Sequence, residues 1–265
     1  MSSSPVELVL ENQVARLTLN RPDVLNAIDT ALITAMRAAL AEAVAAGARA
    51  LVLTGAGRAF CTGADLNDPV LTDYGADKEE GSRRVMAEWI DPLVLELANL
   101  PIPTIAAVNG VTAGGGIGLA LATDIVIAAE GARFLSVFVP RLGLVPDMGV
   151  SWHLTQAFGV ARARAIMLLG EPVTAGEAAS SGLIWKTVPQ EVLAQEAQAL
   201  ATRLAAGAPL AIARTRALAR AALGNTLEAQ IDLESRYQAF LNSTEDAAEG
   251  VQAFRDKREP RFTGR

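Results

Sequence analysis

The sequence is poor in the residues that build disulfide frameworks and metal centres, with one cysteine, Cys61, and one histidine, His153, among 265 residues. A lone thiol cannot form an intrachain disulfide, so a reducing, cytoplasmic setting is the default expectation. Since His and Cys do not cluster, no metal site is expected. The N-terminal stretch MSSSPVELVLENQ lacks the basic start and apolar run of a signal peptide.

Basic charge and long apolar runs are also scarce. The formal net charge is −6 and the isoelectric point about 5.0, which disfavours binding to nucleic acid or to an anionic membrane. No apolar run reaches the length of a membrane span, because Asp124 and several glycines interrupt the best candidate. We therefore expect no nucleic-acid or membrane partner, while a local basic site for a phosphorylated ligand is compatible with this balance.

Aromatic residues make up 5% of the chain and hydrophobic residues 51%, so the core must consist mainly of Ala, Val, Leu and Ile. Alternating apolar and polar residues on both sides of Asn12 predict a β-hairpin. A helix is predicted after a cap at Asp29 or Thr30, ending at Gly47. The apolar runs ARALVLTG, PTIAAVNG and DIVIAA predict buried strands, and strands that alternate with helices indicate an α/β fold.

The later part of the chain has a different pattern. Residues 67–85 are polar and rich in turn formers, which predicts a mobile loop leading into a helix near residues 86–97. From about residue 149 the pattern is almost wholly helical, with Trp185 predicted as a core residue of this part.

The chain end predicts two helices separated by a cap at Ser243 or Thr244. The expected organisation is therefore a core of residues 1–195 and a C-terminal helical region of residues 196–265.

Two glycine-rich stretches each follow a predicted strand. GRAFCTGADL, residues 57–66, can bring its backbone close to a ligand because Gly63 stands next to the small Ala64. An ordinary turn, with Asp65 capping a short helix, explains the same residues. AGGGIG, residues 113–118, opens a predicted helix, whose unpaired N–H groups and dipole favour an anion. Close packing of that helix on the sheet is the alternative, and the spacing does not match the dinucleotide fingerprint.

Together the two stretches suggest more than either does alone. Two backbone donors directed at one point would form an oxyanion hole, which stabilises negative charge that develops on an oxygen. Five stretches, in order along nearly the whole chain, resemble the enoyl-CoA hydratase/isomerase (crotonase) superfamily: LNRPDVLNAI, VLTGAGRAFCTGADL, PTIAAVNGVTAGGGIGLALATDIVIA, GLVPDMG and EGVQAFRDKREPRF.

The resemblance implies a spiral of β-β-α units with a C-terminal helical trimerisation region, assembled as a trimer or a dimer of trimers. It implies an acyl-CoA substrate, bound and converted in the core, and no cofactor beyond the coenzyme A that the substrate carries. In the family two backbone N–H groups hold the thioester oxygen, and the matching residues here are Ala64 and Gly115. Their neighbours Gly63, Asp65, Leu66 and Gly114 are assigned to acyl-CoA binding with them.

The resemblance also assigns residues to the coenzyme A end of the ligand. Arg21 and Arg58 are the basic candidates for its phosphates. A loop near the N-terminus matches the one that contacts the pantetheine and adenine end, and two tail residues resemble those that complete the site from a neighbouring subunit. A solvated helix face is an equal alternative for the second tail residue. These loop and tail residues are Leu25, Asn26, Ala27, Phe254 and Lys257.

Two acidic residues of the family's hydratases are missing. One hydratase glutamate lies three residues after the middle glycine of GGG, where this chain has Gly118. The other falls in FLSVFVPRLG, where Phe138 or Val139 takes its place and lines the acyl site. A hydratase needs acid and base groups to place and activate water, so ordinary hydratase activity is not expected.

One carboxylate, Asp147 in LVPDMG, resembles the acid/base aspartate of the superfamily's ring-type and double-bond isomerases. A similarly placed aspartate is the nucleophile in the 4-chlorobenzoyl-CoA dehalogenase branch. The alternative is an N-cap for the helix predicted over DMGVSWHLTQAF. Apolar neighbours would remove water from the carboxylate and raise its pKa. The neighbours expected there are Phe138, Val145, Met148 and Trp152.

Other distinctive residues carry weaker expectations. Cys61 is predicted to pack beside the first glycine turn, and His153 to have a structural or surface role. Tyr74, Met86 and Trp89 belong to a segment that lines the acyl pocket in the family, and plain packing is equally expected for them.

The predicted function is acyl-CoA isomerisation, either a double-bond shift or the opening of a ring epoxide. Asp147 would move the proton while Ala64 and Gly115 hold the enolate. One alternative is another acyl-CoA enzyme on this scaffold: a weak hydratase, a thioesterase or a dehalogenase-like hydrolase. A member that binds acyl-CoA or RNA with little catalysis is the other, and the acidic balance speaks against RNA.

Overall fold

The strands form two sheets in a computed structural model that describes residues 4–265. Six strands make the main sheet, in the order β1-β2-β3-β5-β7-β10, and four make a smaller sheet, in the order β4-β6-β8-β9. The strands are β1 (Val6–Glu11), β2 (Val14–Leu19), β3 (Ala50–Gly55), β4 (Ala59–Cys61), β5 (Thr104–Val108), β6 (Val111–Ala113), β7 (Ile125–Ala129), β8 (Arg133–Leu135), β9 (Val173–Thr174) and β10 (Lys186–Val188).

The α-helices flank the sheets and dominate the C-terminal part. They are α1 (Thr30–Ala45), α2 (Pro69–Thr72), α3 (Lys78–Val85), α4 (Asp91–Ala98), α5 (Gly115–Leu121), α6 (Val150–Leu169), α7 (Ala175–Ser180), α8 (Leu193–Ala206), α9 (Pro209–Ala221), α10 (Leu227–Asn242) and α11 (Glu245–Asp256). Two π-helical segments, Met86–Ile90 and Phe138–Leu142, and two short 3₁₀ turns, Pro22–Val24 and Gln190–Val192, complete the elements.

A repeated β-β-α unit organises the core. In successive units one strand joins the main sheet and the next joins the smaller sheet: β3 with β4, β5 with β6, and β7 with β8. The main-sheet strands β2, β3, β5 and β7 pair in parallel, with Leu51 opposite Thr104 between β3 and β5. Parallel strands covered on both faces carry continuous apolar runs, and every residue of β5 is buried.

The main sheet buries a separate apolar cluster on each face. Because alternate side chains of a strand point to opposite faces, Leu51 and Leu53 join a large cluster with α1, α4 and α5, while Ala50 and Val52 pack against α8. The expected boundary after residue 195 falls inside α8. This helix packs on the main sheet, so residues on both sides of the expected boundary contribute to one apolar cluster. The division of the chain into 1–195 and 196–265 stays a prediction.

Several local predictions are confirmed. β1 and β2 form the expected antiparallel hairpin. The Asp29 carboxylate caps α1 by accepting a hydrogen bond from the N–H of Leu32 at 2.7 Å. The Thr244 hydroxyl caps α11 by accepting from the N–H of Ala247.

The prediction of a loop over residues 67–85 is wrong, since α2 and α3 lie within it and the helix near 86–97 already begins at Lys78. Asp68 and Asp77 cap α2 and α3. The segment KEEGSRRV is almost wholly polar, so its stability comes from its cap and its charge order rather than from an apolar stripe. A search for apolar periodicity cannot find such a helix.

The part after residue 149 contains two short strands, β9 and β10, and is therefore less uniformly helical than expected. Trp185 is not a core residue, since 54% of its surface is exposed. It lies just before β10, where its backbone N–H donates to the carbonyl of Val126. The ammonium group of Lys186 lies over its ring. None of the helices within residues 4–265 is long and apolar enough to cross a membrane.

Candidate active site

The two glycine-rich turns touch each other. Strands β4 and β6 pair, with Cys61 opposite Thr112, and each turn follows one of these strands. Gly63 has a φ of +88°, which favours glycine, and a Cβ built there would lie 3.0 Å from the nitrogen of Gly115. Glycine at 63 is therefore required both by the backbone conformation and by the close approach of the second turn.

The second turn opens α5 with backbone groups alone. Gly114, with a φ of +51°, stands at the N-cap position and has no side chain to satisfy the first N–H groups. All of α5 is buried. Within residues 4–265, neither the N–H of Gly115 nor the N–H of Ala64 donates to a protein acceptor. These two residues thus bring two unpaired donors to adjoining turns.

A cavity of about 220 Å³ lies against both turns. Its walls are mainly apolar, and Tyr74 and Met86 contribute to them as expected, whereas Trp89 packs against the core instead. The lining residues are Ile28, Thr62, Gly63, Ala64, Leu66, Leu71, Thr72, Tyr74, Ser82, Val85, Met86, Ile90, Gly114, Gly115, Val137, Phe138, Leu142, Leu144, Asp147 and Met148.

Asp147 is the only carboxylate among the residues that line this cavity in the described chain. Its Oδ1 is buried and finds no hydrogen-bond partner within residues 4–265. The pKa of this carboxyl is raised from 3.8 to about 6, mainly by burial, with a smaller contribution from the negative charge of Asp91 and against the opposing effect of its own backbone N–H. A carboxylate with such a pKa can act as a base near neutral pH.

The helix-cap alternative for Asp147 is wrong. Helix α6 begins at Val150, and its N-cap residue is Gly149, which has a φ of +79°. Only the backbone carbonyl of Asp147 contacts this helix start, by accepting from the N–H of Val150 at 2.9 Å. The side chain faces the cavity because two successive residues with positive φ, Met148 and Gly149, turn the chain into α6.

The expected surroundings of Asp147 are half right. Phe138 and Met148 line the cavity beside it, as predicted. Val145 and Trp152 do not, since they are 78% and 49% exposed. The apolar surroundings therefore come from other elements, among them the π-helical segment that begins at Phe138.

The positions of the two hydratase glutamates carry no acid. Gly118 lies in the buried helix α5, and Phe138 is buried in the cavity wall. Val139 is half-buried in the same π-helical segment, outside the cavity lining. Asp147 therefore has no second carboxylate beside it at either position.

The first turn is tied to the loop of residues 25–27. The N–H of Ile28 donates to the carbonyl of Gly63 at 2.8 Å, and the N–H of Asp65 donates to the carbonyl of Ile28 at 2.8 Å. The Asp65 carboxylate accepts from the N–H of Asn67, the main cause of its lowered pKa, and from Arg21. Asp65 begins no helix, so the cap suggested for it is not present.

Asn26 braces this loop from within, a role that the sequence pattern did not reveal. It is fully buried, and its Oδ1 accepts from the N–H of Arg21 at 2.9 Å. Its Nδ2 donates to carbonyls of the β3–β4 connection and β4, among them Ala59 at 2.9 Å. The side chain is therefore committed to the protein. Asn26 has no exposed surface and can affect a ligand only through the loop that it holds in place.

The two basic candidates for phosphate differ in their surroundings. The Arg21 guanidinium pairs with Asp29 at 2.9 Å and with Asp65 at 3.0 Å. Arg58 is exposed and forms no ion pair with any residue of the described chain. Arg58 is thus the freer positive charge, while Arg21 holds the loop to the first glycine turn.

Cys61 and His153 stay outside the cavity lining. Burial raises the pKa of the Cys61 thiol to about 12, so it stays protonated and packs beside the turn as predicted. Burial lowers the pKa of His153 to about 4, and its ring packs edge-on to Trp152. Residues 4–265 contain no group of three His, Cys, Asp or Glu arranged to hold a metal ion.

Phe254 and Lys257 do not reach the cavity within one chain. Phe254, on α11, is 87% exposed, and Lys257 ends that helix in a left-handed conformation with a φ of +55°. Their assignment to a ligand site shared between subunits stays a prediction.

The β-β-α spiral is the fold of crotonase. An enoyl-CoA hydratase from Polaromonas sp. JS666 superposes with a TM-score of 0.86 at 32% identity, covering 97% of this chain and 99% of that one. An enoyl-CoA hydratase subunit from Geobacillus kaustophilus superposes with a TM-score of 0.89 at 33% identity, covering 98% of each chain.

Sequence comparison gives the family. The family model described as enoyl-CoA hydratase/isomerase matches residues 10–265. A Rhodobacter capsulatus protein named "Probable enoyl-CoA hydratase" is 43% identical over the full length of both chains. The 1,2-epoxyphenylacetyl-CoA isomerase of Escherichia coli K12 is 43% identical over 97% of each chain. The chain belongs to the enoyl-CoA hydratase/isomerase family.

Proposed function

We propose that this protein is an acyl-CoA isomerase that moves a proton through a thioester enolate. The observation that carries the proposal is the lone buried carboxylate of Asp147, whose Oδ1 has no protein partner in residues 4–265 and whose cavity adjoins two unpaired backbone donors. A single acid/base group is enough to move a proton between two carbons, whereas hydration also requires an activated water.

In the proposed reaction the carboxylate of Asp147 removes a proton from C2 of a 3-enoyl-CoA. The electron pair moves into a dienolate, whose negative charge rests on the thioester oxygen. The N–H groups of Ala64 and Gly115 hold that oxygen, and each such donor typically contributes about 3 kcal/mol to transition-state stabilisation. The protonated Asp147 then returns the proton to C4, which yields the 2-enoyl-CoA.

The acyl group is proposed to be compact. The cavity holds about 220 Å³ and its walls are apolar, with the hydroxyl groups of Tyr74 and Ser82 among the polar exceptions. Leu66 and Phe138 would contact the acyl chain, and Val139 would support Phe138 from behind. The name of the E. coli relative, an epoxyphenylacetyl-CoA isomerase, makes ring-epoxide isomerisation the second form of the same proton chemistry to test.

The coenzyme A moiety is proposed to leave the cavity along the loop of residues 25–27, which is bonded to the turn that carries Ala64. Arg58 would meet the phosphates, and Arg21 would act mainly through Asp65. The proposed reaction moves a proton without a change of oxidation state and uses only Asp147 and the two backbone donors, so the proposal includes no metal or redox cofactor.

A homo-oligomer, a trimer or a dimer of trimers, belongs to the same proposal. Helices α9 and α10 contain no buried residue, and apolar side chains of the tail are exposed. A second copy that covers this surface would bring Phe254 and Lys257 to a neighbour's ligand. Light scattering tests the assembly, and a monomer with full activity would remove these two residues from the site.

Hydration is the second candidate, and the name of the R. capsulatus relative favours it. The lack of an acid at positions 118, 138 and 139 opposes it. An assay that offers the purified protein 3-enoyl-CoA, 2-enoyl-CoA and a ring-epoxide acyl-CoA in parallel separates the candidates. We expect isomerisation and very slow hydration of crotonyl-CoA. Hydration at roughly tens of turnovers per second, which is an ordinary rate for an enzyme, would contradict the proposal.

Asp147 as a nucleophile, in a thioesterase or dehalogenase-like reaction, is tested in the same samples. An acyl adduct on Asp147 that appears with time in the mass spectrum would favour that chemistry. Binding of acyl-CoA without turnover of any of these substrates would favour a binding role instead.

A further inference from the structure

Met148, the residue after the cavity carboxylate, has an unusual backbone conformation. Its φ is +52°, in the left-handed region that residues with a side chain rarely adopt. The side chain is nevertheless 6% exposed and lies in the wall of the cavity. A strained residue persists only where its surroundings fix it, and such residues concentrate at functional sites.

Met148 packs directly on the two glycines that matter most in α5. A Cβ built on Gly115 would collide with the Met148 sulfur, and one built on Gly118 would collide with the Met148 carbonyl oxygen and lie 2.5 Å from its Cβ. The contact at Gly115 involves the flexible end of a side chain. The contact at Gly118 involves the backbone and cannot be relieved by a rotamer change.

Position 118 is therefore closed to a side chain by the backbone and the Cβ of Met148. A carboxylate at 118 would need the space that Met148 fills between α5 and Asp147. Met148 also borders a second groove, formed with Trp152, His153 and Asp124 on its other side. Met148 thus lies between the cavity and a more open groove of the molecule.

We propose that Met148 determines reaction specificity by filling the place where a second acid and its water would stand. This inference rests on the proposed isomerase function. An enolate formed beside Asp147 then meets an apolar wall at this point, so the proton of Asp147 is available to it while water is not. The glycine at 118 and the methionine at 148 act as a pair: the first makes room for the second, and the second keeps out water.

The test restores the missing acid with and without the methionine. We would prepare Gly118→Glu, Met148→Gly and the Gly118→Glu/Met148→Gly double variant. Glycine at 148 removes the Cβ that would lie 2.5 Å from a Cβ at 118. It also suits the positive φ, and its wider range of backbone angles lets the carbonyl of residue 148 turn away from position 118. A crystal structure of the double variant shows whether the new carboxylate reaches the cavity. The hydration assay measures 3-hydroxyacyl-CoA, formed when water adds its oxygen to C3 and a proton to C2 of crotonyl-CoA.

The double variant should hydrate crotonyl-CoA at least about 10²-fold faster than Gly118→Glu alone, the low end of the range for an added acid/base group. The matched control is Gly118→Glu/Met86→Gly, which opens the same cavity from a wall that does not touch position 118. That control should show no such gain. Met148→Leu, which preserves the volume, should keep the wild-type ratio of hydration to isomerisation.

Three results would overturn the inference. The first is a double variant whose crystal structure shows the new carboxylate in the cavity but whose hydration rate does not exceed that of Gly118→Glu alone. The others are an equal gain in the Met86 control and rapid hydration by the wild type. Two outcomes shift the decision to another variant: thermal unfolding shows that the double variant does not fold, or its crystal structure shows the carboxylate held out of the cavity by the carbonyl of residue 148. In either case Met148→Gly alone decides, since its hydration rate must exceed that of the wild type. Loss of the proposed function gives a different pattern, because an absent wild-type isomerase activity would leave the gain in hydration intact.

Discussion

The two walls of the cavity are built on opposite principles. The glycine wall, formed by Gly63, Ala64, Gly114 and Gly115, offers backbone donors and depends on the absence of side chains. The acid wall, around Asp147, depends on one side chain and on the apolar residues that remove water from it. The comparison teaches that the first wall depends on the close approach of two backbones, most of all at Gly63, whereas the second depends on a single carboxylate.

The largest effect is expected on the acid wall. Asp147→Asn keeps the size of the side chain but cannot accept a proton, so isomerase activity should fall by about 10²- to 10⁴-fold, the usual worth of general acid–base catalysis. Acyl-CoA affinity, measured by calorimetry, should change little. Activity retained in this variant, on a substrate that the wild type isomerises, would return Asp147 to a structural role.

A smaller loss is expected on the glycine wall. In Gly115→Val the branched side chain blocks the thioester oxygen from the Gly115 N–H, and removal of one such donor costs about 10²- to 10³-fold in kcat. Gly131→Val is the matched control, because a Cβ on Gly131 meets no atom within 4 Å. Turnover at the wild-type rate in Gly115→Val would make the oxyanion assignment wrong.

The acid wall should also affect stability in a pH-dependent way. Folding raises the pKa of Asp147 from 3.8 to about 6, so the folded state prefers the protonated form. The stabilising contribution is therefore complete below about pH 4 and is lost as the pH rises through 6. As the pH rises from 4 to 8, the free energy of unfolding of Asp147→Asn should increase relative to that of the wild type by up to about 3 kcal/mol, since one pKa unit corresponds to about 1.4 kcal/mol.

Denaturant unfolding of both proteins across this pH range provides the measurement. The titration of His153 is common to both proteins and cancels in the difference. A difference in stability that does not vary with pH would mean that folding does not shift the pKa of Asp147 and that water reaches its carboxylate.

The smallest effect is expected from Asp91, whose negative charge raises the pKa of Asp147. Asp91 is exposed at the start of α4, outside the cavity lining. Asp91→Asn should shift the acid limb of the kcat/KM profile to lower pH while the plateau stays close to that of the wild type. A shift to higher pH would show that Asp91 acts through something other than its charge.

The difference between the walls also explains how much of the site was visible in the sequence. Glycines before a buried helix are a local signal, and they predicted the first wall with its two turns. Gly118, Phe138 and Asp147 were placed by their resemblance to family motifs. The left-handed conformation of Met148 and its contact with Gly118 could not be predicted, because neither a methionine nor a spacing of 30 residues signals that conformation or that contact.

The fold shows the same division. Strands with continuous apolar runs, such as β5, were predictable because burial on both faces leaves a clear composition signal. The polar helix α3 was missed because caps and charges, rather than an apolar stripe, support it. The buried Asn26 was assigned to the ligand loop, and its bracing role was hidden because it depends on carbonyls from distant residues such as Ala59.

The central claim is that Asp147 removes a proton from C2 of an acyl-CoA whose thioester oxygen is held by the glycine wall. Deuterium exchange at C2 in D₂O, followed by mass spectrometry of the recovered acyl-CoA, tests this step directly, even for a substrate that is not converted further. The account predicts exchange with the wild type, at least about 10²-fold slower exchange with Asp147→Asn, and wild-type exchange with Gly131→Val. Exchange at the wild-type rate in Asp147→Asn would contradict it.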